Sequence, residues 1–196
     1  MFEIQLNMIH LIKISINLNE FSSERVHVFQ NIVSDLPKSS KLFFDVVDGQ
    51  KRKKSNSYPI SRLRLDDVQW PNQSRIYLLK IDAEGHELDV LKSASKLFKQ
   101  GRIDHSIMKY AERNINDIVK KNTLYYLLNN LQAGQFFAFD QINYRNYGPI
   151  DRKLIDRFNR IHLERHLNTY IYASRLKMNS TSSIFTENND TLFLFS

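Results

Sequence analysis

Asp82, Glu84, His86 and Glu87 fall within six consecutive residues. Carboxylates accept hydrogen bonds from hydroxyls, and carboxylates or an imidazole can take a proton from one, so this knot suits general base work on a bound hydroxyl. A plainer role is open too: Glu84 and Glu87 can favour the positive end of a helix, and Asp82 can cap it. The elements that would position these groups are legible on either side. An apolar run, Ile76–Ile81, is interrupted only by Lys80 and predicts a short buried strand. Gly85 predicts a turn, and Leu88, Leu91, Ala94 and Leu97 recur at helical spacing up to a stop at Gly101. Strand, polar turn and amphipathic helix in succession place the acidic knot at a strand's carboxyl end, where open α/β sheets hold their ligands.

Composition narrows the classes. A chain of 196 residues with 42% hydrophobic and 12% aromatic residues is a single domain's worth, with enough apolar surface for one core. The absence of cysteine excludes disulfides and thiolate metal sites. A formal charge of +7 favours acidic partners without naming one. Residues 1–21 include Glu3, His10, Lys13 and Glu20, too polar for a signal segment or a membrane span, so the cytoplasm is the default compartment. The basic run at 51–54 reads as a solvated loop; no aromatic residues interleave with it to stack bases, which makes nucleic acid an unlikely partner. His162, Glu164, Arg165 and His166 read as a solvated charged face rather than a metal cluster.

The stretch Lys80-Ile81-Asp82-Ala83-Glu84-Gly85-His86-Glu87, with the Leu-x-x-Leu-Lys continuation at Leu88, Leu91 and Lys92, closely resembles the K-I-D-x-E-G-x-E signature of the FkbM-type methyltransferases. The resemblance implies a Rossmann-like class I methyltransferase sheet in a three-layer α/β/α fold, and S-adenosylmethionine as the methyl donor. Phe2-Glu3, with a helix capped by Asn7, resembles the family's second motif, and Glu3 is the implied ligand of the donor's ribose. Residues 25–33 read as the next strand, and Asn31-Ile32-Val33-Ser34-Asp35 resembles its ending, where Asn31 or Asp35 would meet the adenine. Residues 41–47 predict an added hairpin or sheet edge, and Asp66 and Asp67 the capped start of a short helix.

Beyond the signature, Ile103–Tyr110 is a strand leading to Glu112, which the resemblance places at the site beside Asp82. There it would act, with Asp82 and His86, as a candidate proton acceptor; Asp82 and Glu84 are also implied donor-binding residues. Residues 115–131 predict a helix, and Gln135–Asp140 and 190–195 the antiparallel pair that closes such a sheet. Residues 143–189 fit the family least and are the expected variable, acceptor-facing segment of a domain spanning 1–196.

One departure stands out. The family opens with a strand and a glycine-rich turn, D-x-G-x-N-x-G, whereas the five glycines here, Gly49, Gly85, Gly101, Gly134 and Gly148, form no such motif. The sheet is therefore expected to be incomplete at the N-terminus, its first strand missing. An incomplete copy of a longer protein, a form that has lost cofactor binding, and a rearranged sheet would each account for this, and a start at Met1 inside an expected strand favours the first. The leading expectation is O-methylation of a hydroxyl on a sugar, lipid-linked or secondary-metabolite acceptor. The alternatives are a catalytically inactive remnant or interaction module, and a basic nucleic-acid-binding domain.

Overall fold

Alternation with period two organises the larger part of the molecule. In a computed structural model describing residues 1–22, 24–36, 42–45, 57–71, 74–110, 117–131, 135–140, 145–164 and 169–175, the chain divides into the compact units Met1–Val68 and Gln69–Ser196. The second unit contains strands β7 (Ile76–Ile81), β8 (Ile103–Tyr110), β9 (Gln135–Asp140), β10 (Arg145–Asp151) and β11 (Thr169–Ser174). Along β8, β9 and β11 every second residue is buried, as in strands with one covered face. They form a mixed five-stranded sheet in the order β10-β9-β11-β8-β7, with β7 and β8 parallel and the other neighbours antiparallel.

Helices α2 (Glu87–Ser93) and α3 (Ser95–Lys99) connect β7 to β8, α4 (Asp117–Leu131) connects β8 to β9, and α5 (Ile155–Glu164) precedes β11. Helix α4 packs on β8 and β11 and against α2, α3 and α5. The covered row of the sheet is continuous across strands: Met108 stands opposite Ile171, which stands opposite Ala138. Fully buried Leu91, Leu124, Leu127, Phe136, Ile155 and Phe158 fill the space under the helices. Phe158 of α5 lies edge-on to Phe136 at 5.6 Å between ring centres. His162 is buried as well, its Nε2 lying 3.0 Å from the Tyr110 carbonyl and 3.1 Å from Thr169 Oγ1, so it belongs to the core rather than to a solvated face.

The Met1–Val68 unit is built from shorter pieces. Strand β1 (Phe2–Glu3) leads through α1 (Leu6–Leu18) to β2 (Phe29–Gln30), which pairs with β1 in parallel. Strand β3 (Ile32–Val33) pairs in parallel with β6 (Arg62–Leu63), and β4 (Leu42–Asp45) forms an antiparallel ladder with β5 (Ser57–Ile60), the hairpin expected there.

Several expectations are corrected. Strand β7 is not buried: Tyr77 is 73% and Leu78 49% exposed, and Ile81 alone is buried. Among the described residues β7 hydrogen-bonds to β8 only, so an edge position overrides what its apolar run suggests. Residues 25–33 are not one strand but irregular backbone followed by β2 and β3. Asn7 lies inside α1, whose first turn follows Gln5 with no side-chain cap. Asp66 and Asp67 lie within a single 3-10 turn that follows Arg64, rather than capping a helix. The signature helix breaks at Ala94 into α2 and α3. The stop at Gly101 holds: its φ is +63°, its N–H donates to the Phe98 carbonyl and that of Arg102 to the Leu97 carbonyl, the double bond of a left-handed helix end. Residues 190–195 and the basic run at 51–54 lie outside the described residues; the antiparallel partner of β8 and β9 is β11, from the segment that fits the family least. No helix among the described residues is long and apolar enough to cross a membrane.

Candidate functional site

Strand β7 ends at buried Ile81, in register with Met108 of β8, and releases the chain at Asp82. Two successive residues then take left-handed backbone angles, Glu84 at φ +46° and Gly85 at +107°. Glycine adopts such angles freely; a glutamate there is strained by about 1 kcal/mol or more and needs outside support. Glu87 provides it. Its carboxylate accepts from the Ala83 N–H at 3.2 Å and from the Gly85 N–H at 3.1 and 3.2 Å, so a nearly buried charge is satisfied within its own turn. The His86 N–H closes the turn on the Ala83 carbonyl at 3.1 Å, and α2 follows.

With Glu87 turned inward, the outward carboxylates are Asp82 and Glu84. A residue the sequence reading passed over joins them: Lys109, next to the last position of β8, places its Nζ 2.7 Å from Glu84 Oε1 and 3.4 Å from Asp82 Oδ1. The hydrogen bond to Glu84 raises the lysine above its usual range; burial opposes the rise, and the charges of Asp82 and Glu84 add to it. Lys109 is therefore a fixed cation and no proton acceptor. The signal was available in the sequence: a lysine beside the tip of a strand expected to neighbour the acidic one.

His86 is mostly exposed, and its Nδ1 lies 3.3 Å from Asp89 Oδ2, one turn along α2. The tip thus joins Asp82, Glu84, Glu87 and Lys109, with His86 on the adjoining surface of α2. Glu112 lies outside the described residues. Glu3, Asn31 and Asp35 belong to the Met1–Val68 unit. Glu3 Oε1 accepts from the N–H groups of Ile4 at 2.7 Å and Gln5 at 2.9 Å, at the entry to α1. Asn31 donates through Nδ2 to the Ser61 carbonyl at 3.2 Å, and Asp35 is gripped by Arg64, which also reaches Asp66 at 3.5 Å. Burial lowers the Arg64 guanidinium, and its hydrogen bonds to Asp35 and Asp66 together with their charges more than restore it. No group of three or more potential metal-binding side chains occurs among the described residues.

Residues 4–143 match the family model described as methyltransferase FkbM domain. No curated protein and no solved structure matches the chain.

Proposed function

Because the chain belongs to the methyltransferase FkbM domain family, we propose that it transfers a methyl group from S-adenosylmethionine to the hydroxyl oxygen of a sugar, lipid-linked or secondary-metabolite acceptor. The observation that carries this reading is the tip of β7. The turn is braced by Glu87 and presents Asp82 and Glu84 at a strand's carboxyl end. Bound there, S-adenosylmethionine supplies an electrophilic methyl on a positively charged sulfur, and a pair of carboxylates offset by one lysine fits such a cation. The parallel β1-α1-β2 unit, and the order in which antiparallel β11 lies between β8 and β9, agree with a Rossmann-like methyltransferase sheet.

In this reading Asp82 orients the acceptor hydroxyl and takes its proton as the oxygen–carbon bond forms, with His86 and Glu112 as the other candidate proton acceptors. Glu84 holds the donor's cationic portion. On the Met1–Val68 unit, taken by itself, Glu3 is the candidate ribose contact. Asn31 and Asp35 are the candidate adenine contacts. Alignment of hydroxyl and methyl, with water kept away, accounts for most of the rate in such a displacement.

Calorimetric titration of the whole chain with S-adenosylmethionine tests this. Saturable binding, weakened tenfold or more by Asp82→Ala, is the expected result. A folded chain that takes up no donor would leave the inactive-remnant reading in its place.

A further inference from the structure

The tip of β7 is not a plain acidic pocket. Two outward carboxylates face one ammonium, so Asp82, Glu84 and Lys109 together carry two negative charges and one positive, a net of minus one. Glu87, whose charge is held by the amides of Ala83 and Gly85, is the same in every variant below and is left out of this count. Among the described residues, the charged and titratable groups around Lys109 are Asp82 and Glu84 from the turn, Tyr170 opposite it in register on β11, and Lys80 on β7 opposite Ile107. The lysine is fixed from both ends of its reach: its side chain is 21% exposed, and two oxygens from different residues hold its nitrogen. Such a cation competes with any other cation for the same oxygens.

We infer that Lys109 is a specificity-determining residue, whose ammonium sets how strongly the Asp82–Glu84 tip prefers the sulfonium donor over the thioether product left after methyl transfer. The inference deepens the methyl-transfer reading and rests on it for the identity of the ligands. S-adenosylmethionine carries one net positive charge, and S-adenosylhomocysteine, which lacks the methyl and the sulfonium charge, carries none. A tip at minus one favours the donor moderately. The same tip without the lysine would hold the donor harder and widen the gap, while one with a carboxylate neutralised would close it. For one unit charge at about 6 Å, in surroundings between protein surface and water, the change in preference is about three- to tenfold.

The experiment measures the ratio of the two dissociation constants, product over donor, by calorimetry at low salt in the whole chain and in a charge series. Lys109→Met takes the tip to minus two, Lys109→Arg keeps it at minus one, and Glu84→Gln takes it to zero. The expected ratios rise about three- to tenfold in Lys109→Met, stay unchanged in Lys109→Arg, and fall by a similar factor in Glu84→Gln, with the spread shrinking as salt is added. A lysine that merely braces the turn would weaken both ligands together and leave the ratio unmoved; that result, or a ratio moving against the charge, overturns the inference while the methyl-transfer reading stands. A wild-type chain that binds neither ligand overturns both. Should Lys109→Met fail to fold, Lys109→Gln, which removes the same charge on a polar side chain, takes its place, and a ratio that does not rise in it overturns the inference.

Discussion

The two units of the chain treat their apolar residues in opposite ways. In Gln69–Ser196 large side chains away from β7 are inside: Phe136, Leu124, Ile150 and Ile171 are essentially inaccessible, while Tyr77 and Leu78 of β7 are exposed. In Met1–Val68 the hydrophobic residues that are buried among those described are Ile9, Ile60 and Leu65, while Leu11, Ile14, Leu18 and Phe21 are more than half exposed. The cause is the length of the ladders. Strands of six to eight residues, in register across β9, β11 and β8, align alternate side chains into one continuous covered face. Strands of two residues cannot, and the parallel pairs β1–β2 and β3–β6 offer no face wide enough to bury a helix. Among the described residues most buried apolar side chains therefore belong to the five-stranded unit, and the acidic tip is anchored there.

Truncation of side chains tests that contrast most strongly. Phe136→Ala, at a site packed against Phe158, should cost about 3–5 kcal/mol in urea unfolding, whereas Leu11→Ala, at a residue 58% exposed, should stay within about 0.5 kcal/mol. Equal losses would show that α1 is buried in solution and would erase the distinction. A smaller loss is expected from Gly148→Ala. Gly148 has a φ of +135°, and a Cβ there would meet the Phe136 carbonyl at 3.0 Å and Phe137 Cδ1 at 2.9 Å. About 1–3 kcal/mol should disappear in thermal unfolding, and an unchanged midpoint would mean that the β9–β10 edge is looser than the rest of the sheet.

The smallest effect concerns Asp104, near the start of β8, where Arg75 and Arg175 both bind its carboxylate. Burial pushes that carboxyl up, but the hydrogen bonds from Arg75 and Arg175 and their charges together outweigh it and hold it below the ordinary value of 3.8. A lowered carboxyl contributes stability that is present above its unfolded value and lost as pH falls through the folded one. Asp104→Asn should therefore cost stability at pH 7, by less than about 1 kcal/mol given the exposed Arg75, and the gap from wild type should narrow below pH 4. A gap that held constant to pH 2 would assign the loss to packing instead. Lys109 behaves in the reverse sense: its contribution is present below the ordinary lysine value of 10.5 and lost as pH rises through the raised one.

Much of the five-stranded unit was legible in the sequence because its signals are local. The bounds of β8 and β9, the stop at Gly101 and the acidic turn all follow from alternation, backbone freedom and composition within a few residues. What was not legible depends on neighbours distant in the chain. Tyr77 and Leu78 read as buried because apolar runs usually are, whereas β7 lies at the sheet edge among the described residues and both are exposed. Strand β11, Thr-Tyr-Ile-Tyr-Ala-Ser, alternates well, yet it sits among residues that resemble the family least and went unassigned. Glu87 belongs to the same acidic knot as Asp82 and Glu84; which of the three carboxylates turns inward is decided by the amides of Ala83 and Gly85, a matter of turn geometry. Lys109 stands beside the tip of a strand whose bounds are legible, but its meeting with Asp82 and Glu84 is set by the register of β8 against β7.

The most direct test of the tip of β7 as the donor-binding site is an amide chemical-shift titration of the whole chain with S-adenosylmethionine. Saturable changes at residues 82–87 and at Lys109, present in wild type and lost in Asp82→Ala, are the expected result. Saturable changes confined to other residues, with the turn unmoved, would contradict it.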